Sequence, residues 1–143
     1  MASISLEIAN DFTALGPASG QVRDFLCACK APDAANFLAD LVIEELVTNT
    51  IKYGFDDKDR HSIHVDVKFH DDRLCIEVRD NGHPFDPLTQ ATPDLTLCAD
   101  ERPIGGLGLH LVRQMTDEVR YERRGDENVV TATKTFPAEP SAC

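Results

Sequence analysis

The chain is poor in basic residues: 14 Lys and Arg stand against 25 Asp and Glu in 143 residues, a formal net charge of -11. A sequence-independent grip on DNA, RNA or an anionic membrane needs a basic surface, so neither nucleic acid nor membrane is expected as a partner. Any polyphosphate must be held locally, by backbone groups, a metal or a few basic side chains. No apolar run approaches the roughly 18 residues of a membrane span. Residues 1–10 also lack the basic-then-apolar layout of a signal peptide, which makes a cytoplasmic location the expectation. There is no CxxC pair, and Cys27, Cys29, Cys75, Cys98 and Cys143 are odd in number and scattered. Reduced thiols fit that pattern, and no zinc site does. His61 and His64 are three apart, which on a strand sends them to opposite faces, and His70, His83 and His110 stand alone. No histidine is assigned to a metal. Internal repeats and low-complexity segments are missing too.

What is present suits one domain, because 143 residues carry a proper core and are too few for two ordinary domains. Residues 3–8 alternate Ile4, Leu6 and Ile8 with polar neighbours, a strand with one buried face. A turn is expected at Gly16-Pro17. Val22, Phe25, Leu26 and Cys29 then have helical spacing, and Pro32-Asp33 starts a second helix that ends near Gly54. The run from Asp56 to Arg60 is a solvated connection. Ile63, Val65, Val67 and Phe69, then Leu74, Ile76 and Val78, make a hairpin around Asp71-Asp72 with one buried face. Asp80, two residues past Val78, is therefore aimed inward. From 83 to 104 there are four prolines and no periodic run, the pattern of a lid. Gly105, Gly106 and Gly108 lead into Leu109, Leu111, Val112 and Met115 at helical spacing, and glycines opening a helix suit phosphate. Val119 and Tyr121 start a strand, Arg124-Gly125-Asp126-Glu127 turns, and 128–136 returns, leaving 137–143 as a flexible tail.

The second helix organises the chain. Leu38, Leu41 and Val42 define an apolar stripe that continues, by steps of three and four, onto Glu45, Asn49 and Lys52. Ile43, Val47 and Ile51 form another. A helix apolar on two sides lies between neighbours, so Glu45 and Asn49 face the interior or a cleft, while Glu44 is solvated. An unpaired buried carboxylate is costly, so Glu45 is either bonded to a structural partner or set beside a ligand or metal.

Three separated signals coincide: Glu45 with Asn49 on a helix, Asp80-x-Gly82 after a strand, and Gly106-x-Gly108 opening a helix after a long loop. Together they resemble the GHKL ATPase superfamily of histidine kinases, gyrase and mismatch-repair ATPases. Glu44-Glu45-Leu46-Val47-Thr48-Asn49, Tyr53-Gly54, the run from Asp80-Asn81-Gly82-His83 to Pro87, and Gly106-Leu107-Gly108-Leu109 narrow the resemblance to small bacterial anti-sigma factor serine kinases. No Gly-x4-Gly-Lys-Ser/Thr sequence offers a P-loop instead.

That resemblance implies ATP and Mg²⁺. Asn49 would bind the metal through its amide oxygen, and Glu45 would accept the proton of an attacking hydroxyl. Asp80 would accept a hydrogen bond from the adenine amino group, Gly82 would let the base approach, and Gly106, Leu107 and Gly108 would offer backbone donors to the phosphates. The family commonly has Gly-Thr before the last strand, where this chain has Glu127-Asn128; Asn128 can still hydrogen-bond near adenine. Arg102 and Lys52 are either phosphate contacts or solvated. The fold expected is an α/β two-layer sandwich of the Bergerat type, one mixed, mainly antiparallel five-stranded sheet with helices over one face. Its open face is left to solvent or to a second copy in a homodimer.

The leading function is an ATP-dependent protein serine kinase that phosphorylates an antagonist of the anti-anti-sigma type and in another state sequesters a sigma factor. The alternative is a nucleotide-gated binding module with little transfer activity. A fragment of a larger histidine kinase ranks third, because no helix with a phosphoacceptor His precedes the first strand.

Overall fold

In a computed structural model of the chain, residues 2–57, 59–89 and 106–137 are described. Arg102, Gly105, Cys98, Cys143, most of the expected lid and the tail beyond 137 lie outside them. Five strands, β1 (Ala2–Ala9), β2 (Ser62–His70), β3 (Arg73–Asp80), β4 (Glu118–Arg124) and β5 (Glu127–Thr135), form one sheet in the order β1-β2-β3-β5-β4. Among the described residues every pairing is antiparallel, so the sheet lacks the parallel pair that a mixed one would have. The two hairpins explain β2–β3 and β4–β5, since short turns can join only antiparallel neighbours, while β1–β2 and β3–β5 are antiparallel across longer connections. Asp71 and Asp72 both have positive φ, 50° and 62°, which matches the right-handed twist of β2 and β3.

Among the described residues three α-helices lie on one face: α1 (Leu15–Ala28), α2 (Asp33–Tyr53) and α3 (Gly106–Met115). Ile63, Val65, Val67, Leu74, Ile76 and Val78 point into that layer and are buried, as alternation required. The opposite face carries charge. There Arg79 sits among Glu77, Asp66 and Glu127 at 3.2, 3.4 and 3.8 Å, a partly hydrated cluster of modest worth.

Helix α2 is held by both its apolar stripes. Val42, Ile43, Leu46 and Val47 are all buried, each adding about 1.5–3 kcal/mol over an exposed side chain. Two sequence expectations shift. Gly16-Pro17 is no turn, because α1 starts at Leu15 and a proline in the first turn removes only an N–H that has no helical acceptor. Leu111 is exposed, since the buried face of α3 runs through Leu109 and Val112. α1 ends with Lys30 at φ 58° and Ala31 N–H donating to Leu26 O at 3.0 Å, a left-handed cap built without glycine.

Candidate functional site

The middle of α2 faces the ends of β3 and β5. Leu46, Asn49 and Thr50 from α2, Gly54 at its C-terminal cap, Val78 and Asp80 from β3, and Asn128 and Val130 from β5 line one hollow, closed on a further side by Phe85 and Pro87. Cross-strand register puts Asp80 opposite Asn128 and Val78 opposite Val130, so a carboxylate and an amide stand over an apolar floor. The chemistry of this lining suits the edge of a flat, partly polar ring, while the space enclosed in this structure, about 10 Å³, is that of about one water.

Asp80 is buried and bonded on one oxygen. Its Oδ1 accepts from Gly82 N–H at 2.9 Å and from Asn128 Nδ2 at 3.0 Å. Its Oδ2 is 3.5 Å from the Thr50 hydroxyl, whose shorter bond, 3.0 Å, donates to Leu46 O. One carboxylate oxygen is thus committed and the other offers its lone pairs. Gly82 is required by close approach: a Cβ there would run into the carbonyl of Gly54. Gly54 itself has φ -80°, so its role at the end of α2 is this approach and the bond from His83 N–H to its carbonyl at 3.1 Å, with no left-handed cap.

Asn49 is buried one helical turn after Glu45 and donates Nδ2 to the Glu45 carbonyl at 2.7 Å. That bond turns the amide oxygen away from the helix backbone. Glu45 is half-buried and lies beside the hollow rather than in its lining. Its carboxylate packs against Gly108 in the first turn of α3, where any Cβ would overlap it. Burial raises the Glu45 pKa above the ordinary carboxylate value; Glu44 pushes the same way and Lys52 opposes. Lys52 and Glu44 are exposed.

Of the residues singled out by sequence, Asn49, Asp80 and Asn128 therefore meet around the hollow, Gly82 is bonded to Asp80 behind it, and Glu45 and Gly108 adjoin one another. Gly106 starts α3; Leu107 belongs to the same turn. Thr50, Tyr121, Arg123 and Phe85 were missed. Strand parity carried a signal for Tyr121 and Arg123, which share the inward face of β4 with Val119 and stand opposite Val130 and Asn128. The Tyr121 hydroxyl donates to Asn128 Oδ1 at 2.6 Å, and Arg123 donates to Gly82 O at 2.8 Å.

A buried carboxylate beside a recess, Gly82 packed on Gly54 and a second carboxylate set against Gly108 at a helix start occupy the positions that the resemblance to histidine-kinase-type ATPases marks out. Accordingly, residues 8–134 match the model of the histidine kinase-like ATPase domain, and the chain belongs to that family. Within it, the chain is 28% identical over 97 residues to the serine/threonine-protein kinase BtrW of Bordetella bronchiseptica, covering 68% of each. It is 32% identical over 96 residues to the serine-protein kinase RsbW of Listeria monocytogenes, covering 64% of this chain and 61% of that one. A protein of Oceanobacillus iheyensis named anti-sigma F factor is 27% identical over 78 residues, covering 54% of this chain and 53% of its own. The matched stretch is thus under two thirds of the Listeria and Oceanobacillus relatives. Among solved structures, the RsbU and RsbW domains of a Mycobacterium tuberculosis protein share the fold with a TM-score of 0.67 at 17% identity, over 94% of this chain and 32% of that one. Among the described residues no helix is long and apolar enough to cross a membrane.

Proposed function

We propose that this chain is an ATP-dependent protein serine kinase of a partner-switching system, moving the γ-phosphate of ATP to a serine of an antagonist of the anti-anti-sigma type. The observation that carries the reading is the placement of Glu45: a half-buried carboxylate with a raised pKa, set against Gly108 and one turn before an amide that lines the same recess as Asp80. The names of the Bordetella and Listeria relatives support the kinase assignment.

The residues fit Mg-ATP. Asp80 Oδ2 is an acceptor for an exocyclic amine, which adenine has and guanine replaces with a carbonyl at that edge. Gly82 and Gly108 let protein groups come close, Gly54 O at the first and the Glu45 carboxylate at the second, where a side chain would push them away. Asn49 offers a hard oxygen ligand, and Mg²⁺ when bound would neutralise phosphate charge. The N–H groups at the start of α3, from Gly106, Leu107 and Gly108, would face the phosphates. Glu45 would take the proton of the serine hydroxyl as the Oγ–P bond forms and ADP leaves, and a pKa raised by burial makes it a better base. A second activity, sequestration of a sigma factor, is supported by the likeness to an anti-sigma F factor.

The test is transfer of labelled phosphate from Mg-ATP to the antagonist that co-purifies with the chain. Glu45→Ala should lower the rate by about 10²-fold or more while ATP affinity stays within a few-fold. Equal transfer by wild type and variant rejects the mechanism. ATP binding by the wild type with no transfer would favour the nucleotide-gated binding module instead.

A further inference from the structure

Asn128 uses all its hydrogen-bonding capacity inside the protein. Oδ1 accepts from Phe85 N–H at 3.2 Å and from the Tyr121 hydroxyl at 2.6 Å. Nδ2 donates to His83 O at 2.8 Å and to Asp80 Oδ1 at 3.0 Å. Two of these partners are backbone groups with one possible role each: an amide N–H can only donate and a carbonyl can only accept. They fix which end of the side chain faces which way, so the NH₂ group must point at Asp80. An amide with two donors and two acceptor sites filled has nothing left for a base.

We propose that Asn128 is a positioning residue for nucleobase recognition: it pins Asp80 Oδ1 through its NH₂ group, so that Oδ2 alone is presented to the hollow, as an acceptor. The proposal rests on Asp80 being the adenine acceptor, and it replaces direct contact of Asn128 with the base. Arg123, Asn128's cross-strand partner, adds a bond to Gly82 O at 2.8 Å, so the β4–β5 hairpin grips the turn after β3 at four points: Asp80, Gly82, His83 and Phe85. From the other side, α2 holds the same turn through Gly54 O. Among the described residues, the titratable and charged side chains facing the cluster are Tyr121 and Arg123 from β4 and His83 from the turn, the last 3.6 Å from Asp56; α2 presents Asn49 and Thr50.

Asn128→Asp is the decisive variant because it keeps shape and turns the donor that faces Asp80 into an acceptor. The introduced carboxylate would then stand at hydrogen-bond distance from that of Asp80, and two such groups must share a proton or repel. Calorimetric titration with Mg-ATP is run on wild type and variant at pH 8 and pH 5.5, each variant affinity being divided by the wild-type value at the same pH. Binding should be weaker by about tenfold or more at pH 8 and return to within about threefold at pH 5.5, where one proton bridges the pair. Equal affinities at both pH values, or an equal loss at both, overturn the proposal and leave ATP binding by the wild type intact. No binding by the wild type removes the ATP reading and this proposal with it. Tyr121→Phe serves should Asn128→Asp fail to fold: it should raise KM for ATP a few-fold with kcat unchanged, and an unchanged KM or a change confined to kcat rejects the role.

Discussion

The two ends of the site are built differently. Around Asp80 nearly every polar atom is buried and bonded, with Asn128 saturated and Gly82, His83 and Phe85 each tied to the sheet or to α2. Around Glu45 the carboxylate is half-buried and pressed against a glycine, and the hydrogen bond at that end joins Asn49 to its own helix. A recognition site benefits from donors and acceptors fixed in advance, since an ordered site loses less entropy on binding. A general base benefits from the opposite. Few partners and some burial keep its pKa high, which strengthens it as an acceptor of protons.

The contrast can be broken at either end. Gly108→Ala should have the largest effect, because a methyl group there must displace the Glu45 carboxylate; a misplacement of about 1 Å costs on the order of 10²-fold in transfer rate. Phosphate transfer at saturating ATP reads that loss, and an unchanged rate would show that Glu45 has no fixed place in the reaction. Asp80→Asn acts at the other end. It exchanges an acceptor for a donor toward the base, so ATP affinity should fall about 10- to 100-fold, the worth of a hydrogen bond to a charged group, whereas kcat at saturation changes little. Equilibrium binding and a KM–kcat split check this together.

Titration gives a third contrast. Burial raises the Glu45 pKa, so the folded state holds this proton more tightly than the unfolded chain does. Ionised Glu45 therefore costs stability above its folded pKa, and that cost vanishes below the unfolded value near 4.5. Glu45→Gln should thus unfold at a higher temperature than wild type at pH 8, with the gap closing as pH falls toward about 4. Transfer should move the other way, declining in acid as the base takes up its proton. The smallest effect lies outside both ends: Lys30→Gly, at φ 58°, should stabilise the protein by about 0.5–1 kcal/mol in denaturant unfolding and leave transfer and ATP affinity alone.

Much of this was legible in the sequence because periodicity reports burial. Alternation through Leu74, Ile76 and Val78 carried Asp80 inward, and the 3.6-residue stripes of α2 placed Glu45 and Asn49 off the solvent face. The limits were as physical. Asn128 could be read only as a side chain able to hydrogen-bond near adenine, because nothing in a string of letters says that Phe85, His83, Tyr121 and Asp80 converge on one amide from three parts of the chain. Gly54 read as a helix stop, and its second use, backbone contact with the Gly82 turn, depends on tertiary packing. Gly16-Pro17 shows the reverse case, in which a turn dipeptide is absorbed by the first turn of a helix.

The central claim is that the recess between α2 and the ends of β3 and β5 takes an adenine nucleotide through Asp80. Parallel titrations of the wild type and Asp80→Asn with Mg-ATP and Mg-GTP test it most directly. Wild type should bind ATP at least about tenfold more tightly than GTP, and the substitution should narrow that ratio. Equal binding of the two nucleotides by the wild type, or a ratio unmoved by the substitution, would contradict it.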